Sequence, residues 1–226
     1  MYLSNRDIKW AIDQGILVVT PPPQSFDETS IDLHLDSIEK GARVWDTQKY
    51  LDEIRPQGIK TPDLSLGAFE YQKFAAKYLI EIPEKSEGEP KVSKRGHQVI
   101  VRPGGFVLWT TKEWVGTPEG NPQFISFVNA KSTKARTGLV VHLSAPTIHA
   151  GWEGNITLEI VNFGPFNFIL EEGDAIAQLT VAKITSTPDL ALKEKSSQTI
   201  HQTDPSGAGN KPTEEPKTKR GRKQKA

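Results

Sequence analysis

The chain has 226 residues, with 28 basic and 28 acidic side chains and a formal net charge of zero. Its length suits one domain with a tail, and the absence of cysteine excludes disulfides, thiolate metal sites and a cysteine nucleophile. No apolar run approaches the ~18 residues of a membrane helix, and residues 1–7 lack the basic and apolar regions of a secretory signal, so a soluble, cytoplasmic protein without membrane contact is expected.

Residues 4–14 read as a short helix: Ser4 is an N-cap, Asp7 lies near the positive end of the dipole, Ile8, Ala11 and Ile12 share a face, and Gly15 stops it. Residues 16–20 read as a strand ended by three prolines, and residues 31–35 alternate as a half-buried strand. Residues 43–96 give no clear signal; 71–82 fit a helix or a strand, and 84–95 read as a loop. From Gln98 onward β signals dominate. Strands are expected at 99–101, 106–109, 124–128, 138–143, 156–161, 166–170 and 176–181, separated by Gly, Pro and Asn. This spacing argues a mainly β barrel or sandwich rather than alternating βα units.

After Thr185 the composition turns to Ser, Thr, Lys, Gln and Pro. The expected organisation is a β domain over 1–185 and a flexible segment over 186–226. Residues 211–226 carry seven basic side chains against Glu214 and Glu215. Within them, 216–224 resembles a minor-groove AT-hook core without its closing proline. Two readings stand: weak DNA contact through inserted arginines, or a solubilising tail.

No phosphate-binding P-loop and no dinucleotide fingerprint is present, and the five histidines include no pair at metal-ligand spacing. No metal site in the chain is therefore expected. Residues 131–136 place Lys131, Arg136, Ser132 and Thr133 close together, a set that suits phosphate or another anion and equally a solvated polar turn. Glu159 interrupts an apolar strand. Facing the core, it would need a partner and would be a candidate general base. Strict alternation puts it on the face opposite Ile156, Leu158 and Ile160.

Several segments, in order, resemble the dCTP deaminase family of the dUTPase-like superfamily. They are 3–8 with 15–17, Ser30 to Leu35, Val101 to Leu108, Lys131 to Leu139 (against [RK]SSxARxGL), Ile148 to Asn162 (against IDPGWxGxhxLEhxN) and Gly173 to Leu179 (against GxxIxQL). The resemblance implies a distorted β-barrel, jelly-roll-like, with a short N-terminal helix, assembled as a homotrimer with active sites between subunits. It implies zinc-independent deamination of dCTP to dUTP and ammonia, with Mg2+ carried by the triphosphate. Glu159 is then the general base, with Ser132 and Arg136 beside it as catalytic partners. Lys131, Ser132, Thr133 and Arg136 would meet the phosphates. Thr157 and Leu158 would offer backbone groups to the pyrimidine, and Ala145 would leave room for the water. Gln178 and Gln202 would also contact the nucleotide.

Three positions depart from the family pattern. His149 stands where the family has an aspartate that meets the sugar hydroxyl; it can hydrogen-bond but carries no negative charge, which counts against a diphosphatase step. Lys131 replaces an arginine. The C-terminal lid retains only Gln202 of its usual Tyr, Lys and Gln. The alternatives are therefore a bifunctional deaminase–diphosphatase, a deaminase of a related cytosine nucleotide, and a non-catalytic nucleotide-binding regulator.

Overall fold

The computed structural model describes residues 1–58, 61, 63–65, 70–84, 90–188 and 201–207. Helix α1 (Asn5–Asp13) begins where the Ser4 hydroxyl accepts the Asp7 amide at 3.4 Å, and it buries Ile8 and Ala11. Strands β1 (Val18–Thr20) and β2 (Ser30–His34) follow. The stretch without a clear sequence signal then contributes helix α2 (Ile38–Gly41), β3 (Ala42–Trp45), α3 (Thr47–Ile54), α4 (Tyr71–Tyr78) and β4 (Leu79–Ile80).

Strand β5 (Val92–Arg95) corrects the loop expected over 84–95. Its polar residues hide it, yet Ser93 is buried and accepts a hydrogen bond from Arg102 at 3.0 Å. β6 (Gln98–Val101), β7 (Phe106–Gly116), β8 (Phe124–Ala130), α5 (Ser132–Ala135) and β9 (Leu139–Val140) come next. Of the strand expected over 138–143, only Leu139 and Val140 pair. β10 (Thr147–Ile148), β11 (Glu153–Asn162), β12 (Phe168–Glu171), β13 (Ala175–Lys183) and β14 (His201–Gln202) complete the elements.

The fold is mainly β, with 39% strand and 20% helix. One sheet runs β14-β11-β7-β3-β4, with β1 added to β7 and β9 to β11; the second runs β10-β8-β13-β2, and the third β12-β6-β5. These sheets do not close into a barrel. The long strands show why. One edge of β7 is shared by β1 near Gly116 and β3 near Trp109. The outer edge of β11 is likewise shared by β14 at 153–154 and β9 at 161–162. Short strands cap both edges, leaving a gap between them. The core unites α1, β2, β7, β11 and β13, and Trp109, Leu33, Leu158, Ile160 and Leu179 are among its fully buried side chains.

Helices α3 and α4 form a satellite of aromatic rings. Trp45, Tyr50, Tyr71, Phe74 and Tyr78 meet at centroid distances of 4.7 to 6.3 Å. Lys77 and the Tyr78 hydroxyl both bond Glu53, holding its carboxyl below the usual 4.5. That tie is complete at neutral pH and loosens as the pH falls through the lowered value.

Residues 201–207, expected to lie within a flexible segment, form β14 and a turn along β11. Main-chain pairing places β14 there, and such pairing needs no apolar pattern. The basic residues 211–226 lie outside the described residues. Among the described residues, no helix is long and apolar enough to cross a membrane.

Candidate active site

The site is built on β11. Pairing with β7 shifts register between Asn155 and Thr157, a bulge held by Asn155 donating to the Thr111 carbonyl and by the Ile156 amide donating to the Thr111 hydroxyl. Beyond it the strand alternates. Ile156, Leu158 and Ile160 are buried in the core, and Thr157 and Glu159 lie half-buried on the opposite face. Alternation therefore places Glu159 as the sequence suggested, but that face is covered rather than bathed in solvent.

Two contacts supply the cover. The exposed Leu143 donates its amide to Glu159 Oε2 at 3.2 Å, and Gln202 on β14 bonds the Thr157 hydroxyl. The second Glu159 oxygen takes no hydrogen bond among the described residues. In addition, no described strand pairs with the outer edge of 155–160, because β14 stops at 154 and β9 begins at 161. Among the described residues, the main chain beside Thr157, Leu158 and Glu159 is thus left without a strand partner on one side.

The cation-rich segment folds as a single turn between β8 and β9, closed by Lys134 and Ala135 amides donating to the Lys131 carbonyl at 3.0 Å. Ser132, Thr133 and Arg136 are exposed. Lys131 forks onto both oxygens of Asp32 at 2.6 Å, so its charge is already partnered. Lys134 donates to the Ala175 carbonyl at 2.6 Å. Neither Ser132 nor Arg136 hydrogen-bonds Glu159 within the chain. The turn is fixed to β11 where the Phe163 amide donates to the Gly138 carbonyl at 2.9 Å.

The remaining expected residues are dispersed. Gln178 lies on the second sheet and donates to Asp27 at 2.6 Å. Ala145 and His149 are exposed, and the His149 carbonyl accepts the Trp152 amide at 3.2 Å. Leu158 turns its side chain into the core, leaving only its backbone for a ligand. Sequence reasoning missed Asp32, whose only signal was its polar place in an alternating strand.

It also missed Tyr71, on α4. The Tyr71 hydroxyl donates to the Pro205 carbonyl at 2.6 Å. Burial, the Glu159 carboxylate and the Asp204 carboxylate push its pKa up to about 12. The fold prefers the neutral phenol, so this contribution is complete below the ordinary value of 10 and is lost as the pH rises through about 12. The Tyr71 phenol is expected to ionise in a late step, at about 12. Phenolate absorbance should show this step in the wild type and not in Tyr71→Phe; an unchanged titration would contradict it.

A carboxylate with one oxygen tied and the other without a hydrogen bond among the described residues, beside a strand edge that no described strand pairs, fits a hydrolase, and the cation-rich turn fits an anionic substrate. A family model described as dCTP deaminase-like matches residues 2–184. A dUMP-forming dCTP deaminase of Dictyoglomus thermophilum is 30% identical over 204 residues, covering 89% of this chain and 90% of that one. A dCTP deaminase of Haloarcula marismortui is 32% identical over 195 residues, covering 84% of each. The crystal structure of 2′-deoxycytidine 5′-triphosphate deaminase from Agrobacterium tumefaciens matches with a TM-score of 0.51 at 15% identity, over 80% of this chain and 47% of that one, a likeness of fold alone. The chain belongs to the dCTP deaminase-like family and is an enzyme of the hydrolase class.

Proposed function

We propose that the protein hydrolyses dCTP to dUTP and ammonia, supplying the dUTP, dUMP and dTTP pathway. The observation that carries this reading is the Glu159 carboxylate, positioned by the Leu143 amide, with its other oxygen free of hydrogen bonds among the described residues and beside a strand edge that no described strand pairs. In the reaction, water attacks C4 of cytosine and gives one proton to Glu159. Glu159 passes that proton to the 4-amino group, the C4–N bond breaks and ammonia leaves. The second water proton ends on the ring nitrogen N3. The main chain of Thr157 and Leu158 meets the pyrimidine edge.

Ser132 orients the water and Arg136 holds Glu159 ionised. Both are exposed and bond nothing on Glu159 in one protomer, so the reading takes them from a neighbouring copy in a homotrimer. Lys131, Ser132 and Thr133 face the triphosphate, which brings its own Mg2+; the reaction uses no zinc. Ala145 leaves space at the reacting carbon, His149 lies at the sugar, and Gln178 and Gln202 complete the nucleotide contacts.

The curated relatives include both dUMP-forming and plain dCTP deaminases. His149 favours dUTP here, since no carboxylate stands at that position to activate a second water. Ion-exchange product analysis with dCTP and Mg2+, and with dUTP and CTP in parallel, tests the reading. The expected products are dUTP and ammonia. Formation of dUMP and pyrophosphate would replace this reading with the bifunctional enzyme. No turnover of any of the three would replace it with a deaminase of a related cytosine nucleotide or with a nucleotide-binding regulator.

A further inference from the structure

The segment 201–207 touches the rest of the protein at separated points. At one end β14 pairs in parallel with Glu153 and Gly154, and Gln202 bonds Thr157. At the other end, Tyr71 donates to the Pro205 carbonyl at 2.6 Å and Gln72 donates to the Gly207 carbonyl at 3.4 Å. Between these anchors the segment spans a cavity of about 450 Å³, lined from below by Lys40, Arg43, Ala75 and Leu79. Asp204 does not brace against that floor; its carboxylate accepts the Ser206 amide at 2.7 Å and the Ser206 hydroxyl at 2.5 Å, tightening the turn. Pro205 and Gly207 are buried where the strap meets α4, and the hydrogen bonds to Tyr71 and Gln72 fix its direction there.

The α4 anchor is itself rigidly mounted. The Tyr71 ring meets the Trp45 indole edge-on at 6.3 Å, and Trp45 packs on Phe74 at 5.3 Å. β3 and β4 tie this aromatic cluster to the main sheet through Val44 against Ile80 and Trp45 against Leu79. The phenol also lies close enough to Glu159 and Asp204 for both carboxylates to act on it.

We propose that Tyr71 is a positioning residue for the reaction: its hydroxyl latches the strap 201–207 to α4, which keeps Gln202 on Thr157 beside Glu159. This rests on the reading of the Glu159 face as the nucleotide site. It assigns a role to the α3–α4 pair beyond its aromatic cluster. The phenol stays protonated throughout the neutral range, so the latch remains closed without nucleotide and biases the strap toward its docked state.

Tyr71→Phe removes the donor and retains the ring. By hydrogen exchange, the amides of 202–204, 206 and 207 in the ligand-free variant should exchange about fivefold faster than in the wild type, the loss of one net hydrogen bond, while α4 and β7 amides stay unchanged. With dCTP, KM should rise by a similar factor with kcat within about twofold, since uniform binding is lost rather than chemistry. Gln72→Leu, which removes the second donor and leaves the aromatic rings in place, should act in the same direction and decides the matter if Tyr71→Phe loosens α4 itself. Unchanged exchange in the strap would overturn the latch. Faster exchange with unchanged KM would overturn its role in positioning. Absence of dCTP turnover in the wild type would count against the deaminase reading alone, because the exchange measurement needs no substrate.

Discussion

Replacing Glu159 with Gln should lower kcat for dCTP by about 10²- to 10⁴-fold, the usual weight of a positioned general base, and leave thermal stability nearly unchanged. The substitution is close to isosteric. The Leu143 amide, which donates to Glu159 Oε2 at 3.2 Å, can donate equally to the amide oxygen of Gln. Thr157 and its bond to Gln202 lie two residues away and are untouched. What disappears is an oxygen that can take a proton from water, so the loss should fall on kcat with little change in KM. Measuring ammonia release alongside Tm separates chemistry from folding. Turnover within about tenfold of the wild type, at equal Tm, would remove Glu159 from the proton-transfer step.

How much of this site was legible depends on which contacts are local. Glu159 announced itself as a charge inside an apolar strand, and alternation placed it on the correct face. The Ser4 cap and the spacing of Ile8 and Ala11 likewise made α1 readable, because its start signal and buried face lie within one short window. Of the α3–α4 pair, α4 was one of two readings of 71–82, and α3 was not read. α3 has no fully buried residue; its half-buried Tyr50 packs on Phe74 and Tyr78 from α4, a partnership that neither segment shows alone. The partnership of Lys131 with Asp32 joins residues 99 positions apart, and nothing in either segment alone pairs them. β14 is only two residues long and docks through its main chain, which side-chain patterns do not encode. Position 143 contributes an amide proton, a group nearly every residue type carries and so without a sequence signature.

The second large effect concerns the crossing that fixes the 131–138 turn to the end of β11. Gly138 adopts a φ of +92°, and a Cβ there would lie 2.4 Å from the Gly164 nitrogen and 2.5 Å from its Cα. Gly164 is equally confined, since its own Cβ would meet the Thr137 carbonyl oxygen at 2.1 Å. Both obstacles are backbone, so neither can rotate away. The opposing strand end is also braced: the Asn162 side chain donates to the Val101 and Phe166 carbonyls at 2.8 and 2.6 Å and accepts the Gly164 amide at 2.9 Å. Gly138→Ala must therefore strain its own backbone, at about 1–3 kcal/mol, and push two main chains apart, at about 1–3 kcal/mol more. At about 2–4 °C per kcal/mol for a chain of this size, Tm should fall on the order of 10 °C. Activity should fall as well, because the displaced turn carries Ser132 and Arg136. Gly120→Ala, where a Cβ meets nothing within 4 Å, is the matched control and should change stability by less than about 0.5 kcal/mol. A Gly138→Ala protein melting within about 2 °C of the wild type would show that the crossing relaxes more easily than its backbone contacts imply, and would detach the placement of Ser132 and Arg136 from this pair of glycines.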